Sequence, residues 1–472
     1  MKKRKIYLSF ISMLLLCAIA VGVCGCNSVD DDEIDGTNAP RTEKPTERST
    51  QGNTPDVSIS DDNNSTETSK PTDAVVYTAM ADLMSSISPN KNVPIYAGTV
   101  ADRISDSVAV SEFALELFKA SNKSGENTLI SPLSVLCALS MTANGAKGET
   151  LAQMETVLGM PIEELNLYIS YYMSNLPDSE KYKLSLANSI WFTSDNRFSV
   201  NPDFLQTNAD YYGADAYKAP FDDSTLNAIN NWVNEHTDGM IPEILDNIPA
   251  EAVVYLVNAL AFDAEWEEIY NKYDIVEGEF TKEDGSKQKA DFMYSTEHSY
   301  IEDEKATGFI KYYKDRKYAF AAMLPNEGVS IDEYIAALDG KSLNEILSAP
   351  QEATVQTLMP KFKTEYSVQM SEILKSMGMT DAFDSIRANL SGLGSSTSGN
   401  LFISRVIHKT FIEVNEKGTK AGAATVIEVT DESVAIPDDL KQVYLDRPFV
   451  YMLIDCENNI PFFIGTMMDV EQ

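Results

Sequence analysis

The stretch Glu416-Lys-Gly-Thr-Lys-Ala-Gly-Ala-Ala-Thr-Val-Ile-Glu-Val429, near the end of a 472-residue chain, decides how the rest is read. From Thr419 onward every second residue is small or apolar (Thr419, Ala421, Ala423, Thr425, Ile427, Val429), while Lys420 and Glu428 take the opposite parity. Successive side chains of a strand point to opposite faces, so this pattern offers one face for burial. Gly418, Gly422 and the three alanines give it little intrinsic strand preference. The segment is therefore expected to exist as a loop and to become a strand only when a sheet accepts it.

Working outward, Ser131-Pro132 has the form of an N-cap followed by proline in the first turn. Leu133, Leu136, Leu139 and Met141 continue at helical spacing until Asn144-Gly145. The runs Val253 to Leu260, Tyr318 to Leu324, Phe402 to Val414 and Phe449 to Ile454 predict strands. Helices and strands do not alternate regularly, which favours an α+β architecture over a doubly wound sheet. No linker-like composition interrupts residues 96–472, so one large domain is expected there, and no internal repeat is visible.

Several ordered blocks resemble the serpin family. Phe411-Ile-Glu-Val-Asn-Glu416, the loop segment after it and Arg447-Pro-Phe-Val450 look like a serpin hinge and reactive-centre loop. Asn127-Thr-Leu-Ile-Ser-Pro-Leu-Ser134, Gly145-Ala-Lys-Gly-Glu-Thr150, Leu256-Val-Asn-Ala-Leu-Ala-Phe262 with Trp266, Leu358-Met-Pro-Lys361 and Pro461-Phe-Phe-Ile-Gly465 follow in serpin order. The resemblance runs from about Ala109 to Val470. It implies several helices around three β-sheets with an exposed reactive-centre loop, and a serine protease inhibitor that acts as a suicide substrate. In that mechanism the protease cleaves the loop, the freed segment inserts as a strand and the acylated enzyme is trapped.

Under the resemblance the hinge comprises Glu416, Gly418, Thr419, Ala421, Gly422, Ala423, Ala424 and Thr425. Thr419, Ala421, Ala423 and Thr425 carry no bulk or charge at inward parity, as rapid insertion requires. Ser131, Ser134, Asn258 and His408 match positions that hydrogen-bond beneath the opening sheet, and Trp266 one near where insertion begins. Taken alone, His408 reads equally as a satisfied core histidine and Trp266 as core packing. The usual hinge span places the reactive-site bond at Glu432-Ser433, implying a protease that accepts an acidic side chain, with Asp431 the neighbouring option. The stretch Ser433 to Arg447 is longer than the familiar pattern, so a bond at Val434-Ala435 or Ala435-Ile436, suited to elastase-like enzymes, stays open.

Lys and Arg number 37 against 72 Asp and Glu, a net charge of −35 and a pI near 4.4. That balance argues against phosphate neutralisation and so against nucleic acid as a partner. The region Pro161 to Lys183 carries Glu163, Glu164, Asp178 and Glu180 where some serpins have a basic heparin-binding helix, so no heparin response is expected. Lys2-Lys-Arg-Lys5 and the apolar run Ile6 to Val23 read as an export signal over residues 1–25. Val23-Cys-Gly-Cys26 resembles a bacterial lipobox, which would lipidate Cys26 and hold the domain at the outer face of the cell membrane. Residues 26–95, polar and poor in large apolar side chains over most of their length, are expected to form a disordered tether.

Cys137 and Cys456 lie in apolar surroundings and are expected as buried thiols rather than a bridge. Three histidines, no H-E-x-x-H, no C-x-x-C in the domain, no G-x-S-x-G and no P-loop argue against a metal site, a cofactor or an enzyme. The Gly392-to-Gly399 stretch reads as a surface turn. A monomer that captures a serine protease is the expected form. The rival reading is a non-inhibitory surface lipoprotein using the same fold for adhesion or ligand binding.

Overall fold

Ser131 and Pro132 begin a helix in the computed structural model, which describes residues 78–90, 93–176, 182–249, 252–397, 399–419 and 440–470. Ser131 is the N-cap, its hydroxyl accepting from the Ser134 N–H at 3.4 Å, and the helix, α1, runs Pro132–Ala143. All its residues are buried, as a helix that is apolar on every side requires. It packs against the strand Ile460–Met467 on one side and against a seven-stranded sheet on the other.

That sheet contains β1 (Ala81–Asp82), β2 (Tyr182–Thr193), β3 (Asp215–Ala219), β4 (Val254–Glu265), β5 (Phe362–Gln369), β6 (Ile407–Asn415) and β7 (Gly418–Thr419). Their spatial order is β1-β3-β2-β4-β7-β6-β5, antiparallel except for the parallel pair β2 and β3. Along β6 the even-numbered residues His408, Thr410, Ile412 and Val414 are buried while their neighbours are half-buried. The period of two read from the sequence therefore carries through this strand.

A second assembly runs Lys441–Tyr444, Gln351–Pro360, Lys287–Glu302, Ala306–Tyr312, Tyr318–Pro325, Phe449–Asp455, Ile460–Met467, Thr128–Ile130, with Ile275–Thr281 beside Lys287–Glu302. The 16-residue strand Lys287–Glu302 divides it. Its first seven residues pair with Ile275–Thr281 and its last four with Ala306–Tyr312, so two sheets share one strand. With the seven-stranded sheet they make the three sheets of an α+β fold. Tyr318–Pro325, Phe449–Asp455 and Ile460–Met467 are buried along their whole length, which is why they read as unbroken apolar runs.

Two expectations are corrected. The run Phe402 to Val414 becomes a strand only from Ile407, because the backbone before it is committed elsewhere. The Ile403 N–H donates to the Ala382 carbonyl at 2.8 Å and the Val406 N–H to the Ser371 hydroxyl at 3.2 Å. Within the Gly392-to-Gly399 stretch, Gly394–Ser396 pairs with Phe198–Val200 as a short ladder. Gly394 permits it, since a Cβ there would collide with the Ser199 carbonyl oxygen.

Part of the segment expected as tether is packed on the body. β1 pairs with β3, and the Leu83 N–H donates to the Ala216 carbonyl at 2.8 Å. Among the described residues no helix is long and apolar enough to cross a membrane.

Candidate functional site

The site lies where β7, two residues long, is wedged between β4 and β6. Gly418 and Thr419 pair with Glu265 and Ala264 on one side and with Asn415 and Val414 on the other. Below this wedge, no pairing among the described residues joins β4 to β6 directly. Gly418 is required by close approach, since any Cβ would meet the Ala264 carbonyl oxygen. Thr419 is 2 % exposed, and its hydroxyl and the Tyr313 phenol share a hydrogen bond.

Three N–H groups hold the residues just before the wedge. The Trp266 backbone donates to the Lys417 carbonyl at 2.9 Å, its indole Nε1 to the Asn415 carbonyl at 2.8 Å, and the Tyr270 backbone to the Glu416 carbonyl at 3.0 Å. The indole lies flat on Tyr313, ring centroids 4.3 Å apart and planes 10° apart, so the ring that orients the hinge also supports the partner of Thr419. The Glu416 carboxylate pairs with Lys361 at 2.7 Å, and that contact lowers its pKa below the usual glutamate value.

Further along the groove between the two strands, the expected polar residues converge. The Ser131 N–H donates to His408 Nε2 at 2.9 Å. The Ser134 hydroxyl donates to Asn258 Oδ1, and Asn258 Nδ2 donates to Asn188 Oδ1. Asn188 also reaches the Tyr212 carbonyl at 3.4 Å, and the Thr410 hydroxyl donates to the Leu129 carbonyl at 2.8 Å. This chain spans α1, β2, β4 and β6, so it ties together the strands on both sides of the wedge. Burial lowers the His408 pKa to about 4, and an imidazole that accepts at Nε2 is neutral.

Ser131, Ser134, Asn258 and His408 are thus brought together, while Trp266 stands apart at the hinge end with Glu416, Gly418 and Thr419. Ala421, Gly422, Ala423, Ala424, Thr425, the expected bond Glu432-Ser433 and Cys26 lie outside the described residues. Sequence reasoning missed Asn188 and Tyr313. Asn188 sits in the alternating run Leu184, Leu186, Asn188, Ile190, where a polar residue at core parity was the available signal. Cys137 and Cys456 are free thiols, and burial raises both pKa values, Cys456 to about 12. Among the described residues no group of three or more His, Cys, Asp or Glu is placed to hold a metal ion.

A family model described as Serpin (serine protease inhibitor) matches residues 108–470. Human Serpin B10 is 30% identical over 400 residues, covering 77% of this chain and 99% of that protein. An uncharacterised serpin-like protein of Thermococcus kodakarensis is 28% identical over 368 residues, covering 76% of this chain and 85% of that protein. Among solved structures, the thermophilic serpin tengpin in its native state is 48% identical, with a TM-score of 0.78, covering 83% of this chain and 100% of that one. Its latent state gives a TM-score of 0.70 at the same identity, covering 79% of this chain and 100% of that one.

Proposed function

The chain belongs to the serpin family, whose members are generally inhibitors of serine proteases rather than enzymes, and we propose that it inhibits by the suicide-substrate route. A protease would attack the segment between Thr419 and the strand Lys441–Tyr444. Once acylated, the freed strand would continue the path of β7 between β4 and β6 and carry the enzyme with it. Strand addition of this kind is an established mode for serpin reactive loops.

The observation that carries this reading is the two-residue wedge itself. Its first inward residue is small and uncharged, the strands flanking it share no ladder of their own below it among the described residues, and Ala421, Ala423 and Thr425 follow at the same parity in the sequence. About ten new ladder hydrogen bonds at roughly 1 kcal/mol net each would release on the order of 10 kcal/mol, before apolar burial is added. An acyl-enzyme hydrolyses only while its oxyanion hole is aligned, so a pull of that size that distorts the hole traps the intermediate. That tengpin has been solved in both a native and a latent state supports a fold of this kind having two folded forms.

The target in this proposal is an acidic-specific protease cutting at Glu432-Ser433, or an elastase-like one cutting two or three residues later. The chain would be lipidated at Cys26 and held outside the cell membrane. Mixing the purified chain with serine proteases of both specificities is expected to give a complex that survives SDS and a released C-terminal peptide, beginning at Ser433 for an acidic-specific target and at Ala435 or Ile436 for an elastase-like one. Clean cleavage by every protease without such a complex would instead favour the non-inhibitory reading.

A further inference from the structure

Behind the hinge clamp lies a buried ion pair that neither the sequence reading nor the inhibitory mechanism uses. Lys311, on the strand Ala306–Tyr312, is 2 % exposed, and its Nζ donates to Glu297 Oε1 at 2.7 Å. The Ser295 hydroxyl donates to the same oxygen at 2.6 Å and is itself held by Thr357 at 2.8 Å. The ammonium stands 4.5 Å from the Tyr270 ring centroid and 5.6 Å from that of Trp266. A buried ammonium is costly, and the carboxylate together with two electron-rich faces offsets that cost.

Trp266 and Tyr270 are the residues whose N–H groups hold the carbonyls of Asn415, Glu416 and Lys417. The strand of Lys311 also reaches the clamp through its backbone. The Glu267 N–H donates to the Tyr312 carbonyl at 3.0 Å, and Trp266 forms a bridge with Tyr313. From these contacts we infer that Lys311 is a positioning residue for strand insertion: its charge, fixed by Glu297, holds the rings that set Thr419 opposite Ala264. A slip of one residue there would turn every inserting side chain to the wrong face, so the register at the hinge governs whether insertion outruns hydrolysis.

This inference rests on the proposed inhibitory route. Its test compares wild type with Lys311→Met, with the neutralised pair Lys311→Met/Glu297→Gln, and with Lys311→Arg, which keeps a charge over the rings. For each protein, the rate of first attack on the loop and the number of inhibitor molecules consumed per protease trapped are measured separately. Both Lys311→Met proteins are expected to lose trapping relative to hydrolysis by about fivefold, the factor given by ~1 kcal/mol of lost attraction. The rate of first attack is expected to stay unchanged, and Lys311→Arg to recover most of the trapping. If wild type traps nothing, the inhibitory reading fails and this inference falls with it. If wild type traps and the neutralised pair traps equally well, Lys311 has no positioning role. Failure of both Lys311→Met proteins to fold would assign the pair to stability alone and likewise overturn it.

Discussion

Thr419 shows how much one side chain decides. It is sealed between two strands with its hydroxyl on the Tyr313 phenol, so nothing larger fits without parting the sheet. Thr419→Arg is expected to convert the inhibitor into a substrate, cleaved at the loop and released with no SDS-stable complex. Full inhibition by that variant, assayed against the same protease, would refute insertion. His408 acts at the same scale. Its folded pKa of about 4 lies below the ordinary histidine value of 6.5, so the unfolded chain binds the extra proton first as pH falls. The stabilisation is complete above about pH 6.5 and is lost progressively toward pH 4, by about 3 kcal/mol in all. Denaturant midpoints at pH 7.5 and pH 4.5 should therefore differ more for wild type than for His408→Gln. Equal differences would show that the buried imidazole does not titrate as its surroundings dictate.

At the scale of elements, the clamp is built from a strand end, an aromatic ring and a strand two residues long. Trp266→Phe keeps a ring to lie on Tyr313 but removes the donor to the Asn415 carbonyl. It is expected to cost about 1 kcal/mol in unfolding free energy, read from denaturant midpoints. A variant as stable as wild type would show that the indole N–H does not hold the hinge. Elements were legible in the sequence where the local signal was unambiguous. The Ser131-Pro132 start of α1 and the runs at Tyr318 and Phe449 needed only capping and hydrophobic pattern. The start of β6 was not legible, because residues 402–406 have a strand's composition and are diverted by bonds to Ala382 and Ser371, far away in sequence. Tyr313 and Lys311 were invisible for the same reason. The partners that give them meaning, Thr419 and Trp266, come from other elements, and no spacing rule reaches across that gap.

At the scale of the whole molecule, the fold could be read because its signature blocks are scattered from residue 127 to residue 465 in fixed order. The proposed function is harder to read from any local feature, since it would lie in the difference between two arrangements of the same chain. The strands β4 and β6 are tied by the network of Ser131, Ser134, Asn258 and His408, yet separated by a wedge of two residues. The residues next in sequence, Ala421 to Val429, keep the alternation of small or apolar side chains that a strand filling that path would need. The most direct test is to nick the loop with a protease that does not become trapped and to compare melting temperatures. The nicked protein is expected to melt well above the intact one, because cleavage would free the segment after Thr419 to complete the sheet. A nicked form that melts at or below the intact temperature would contradict insertion.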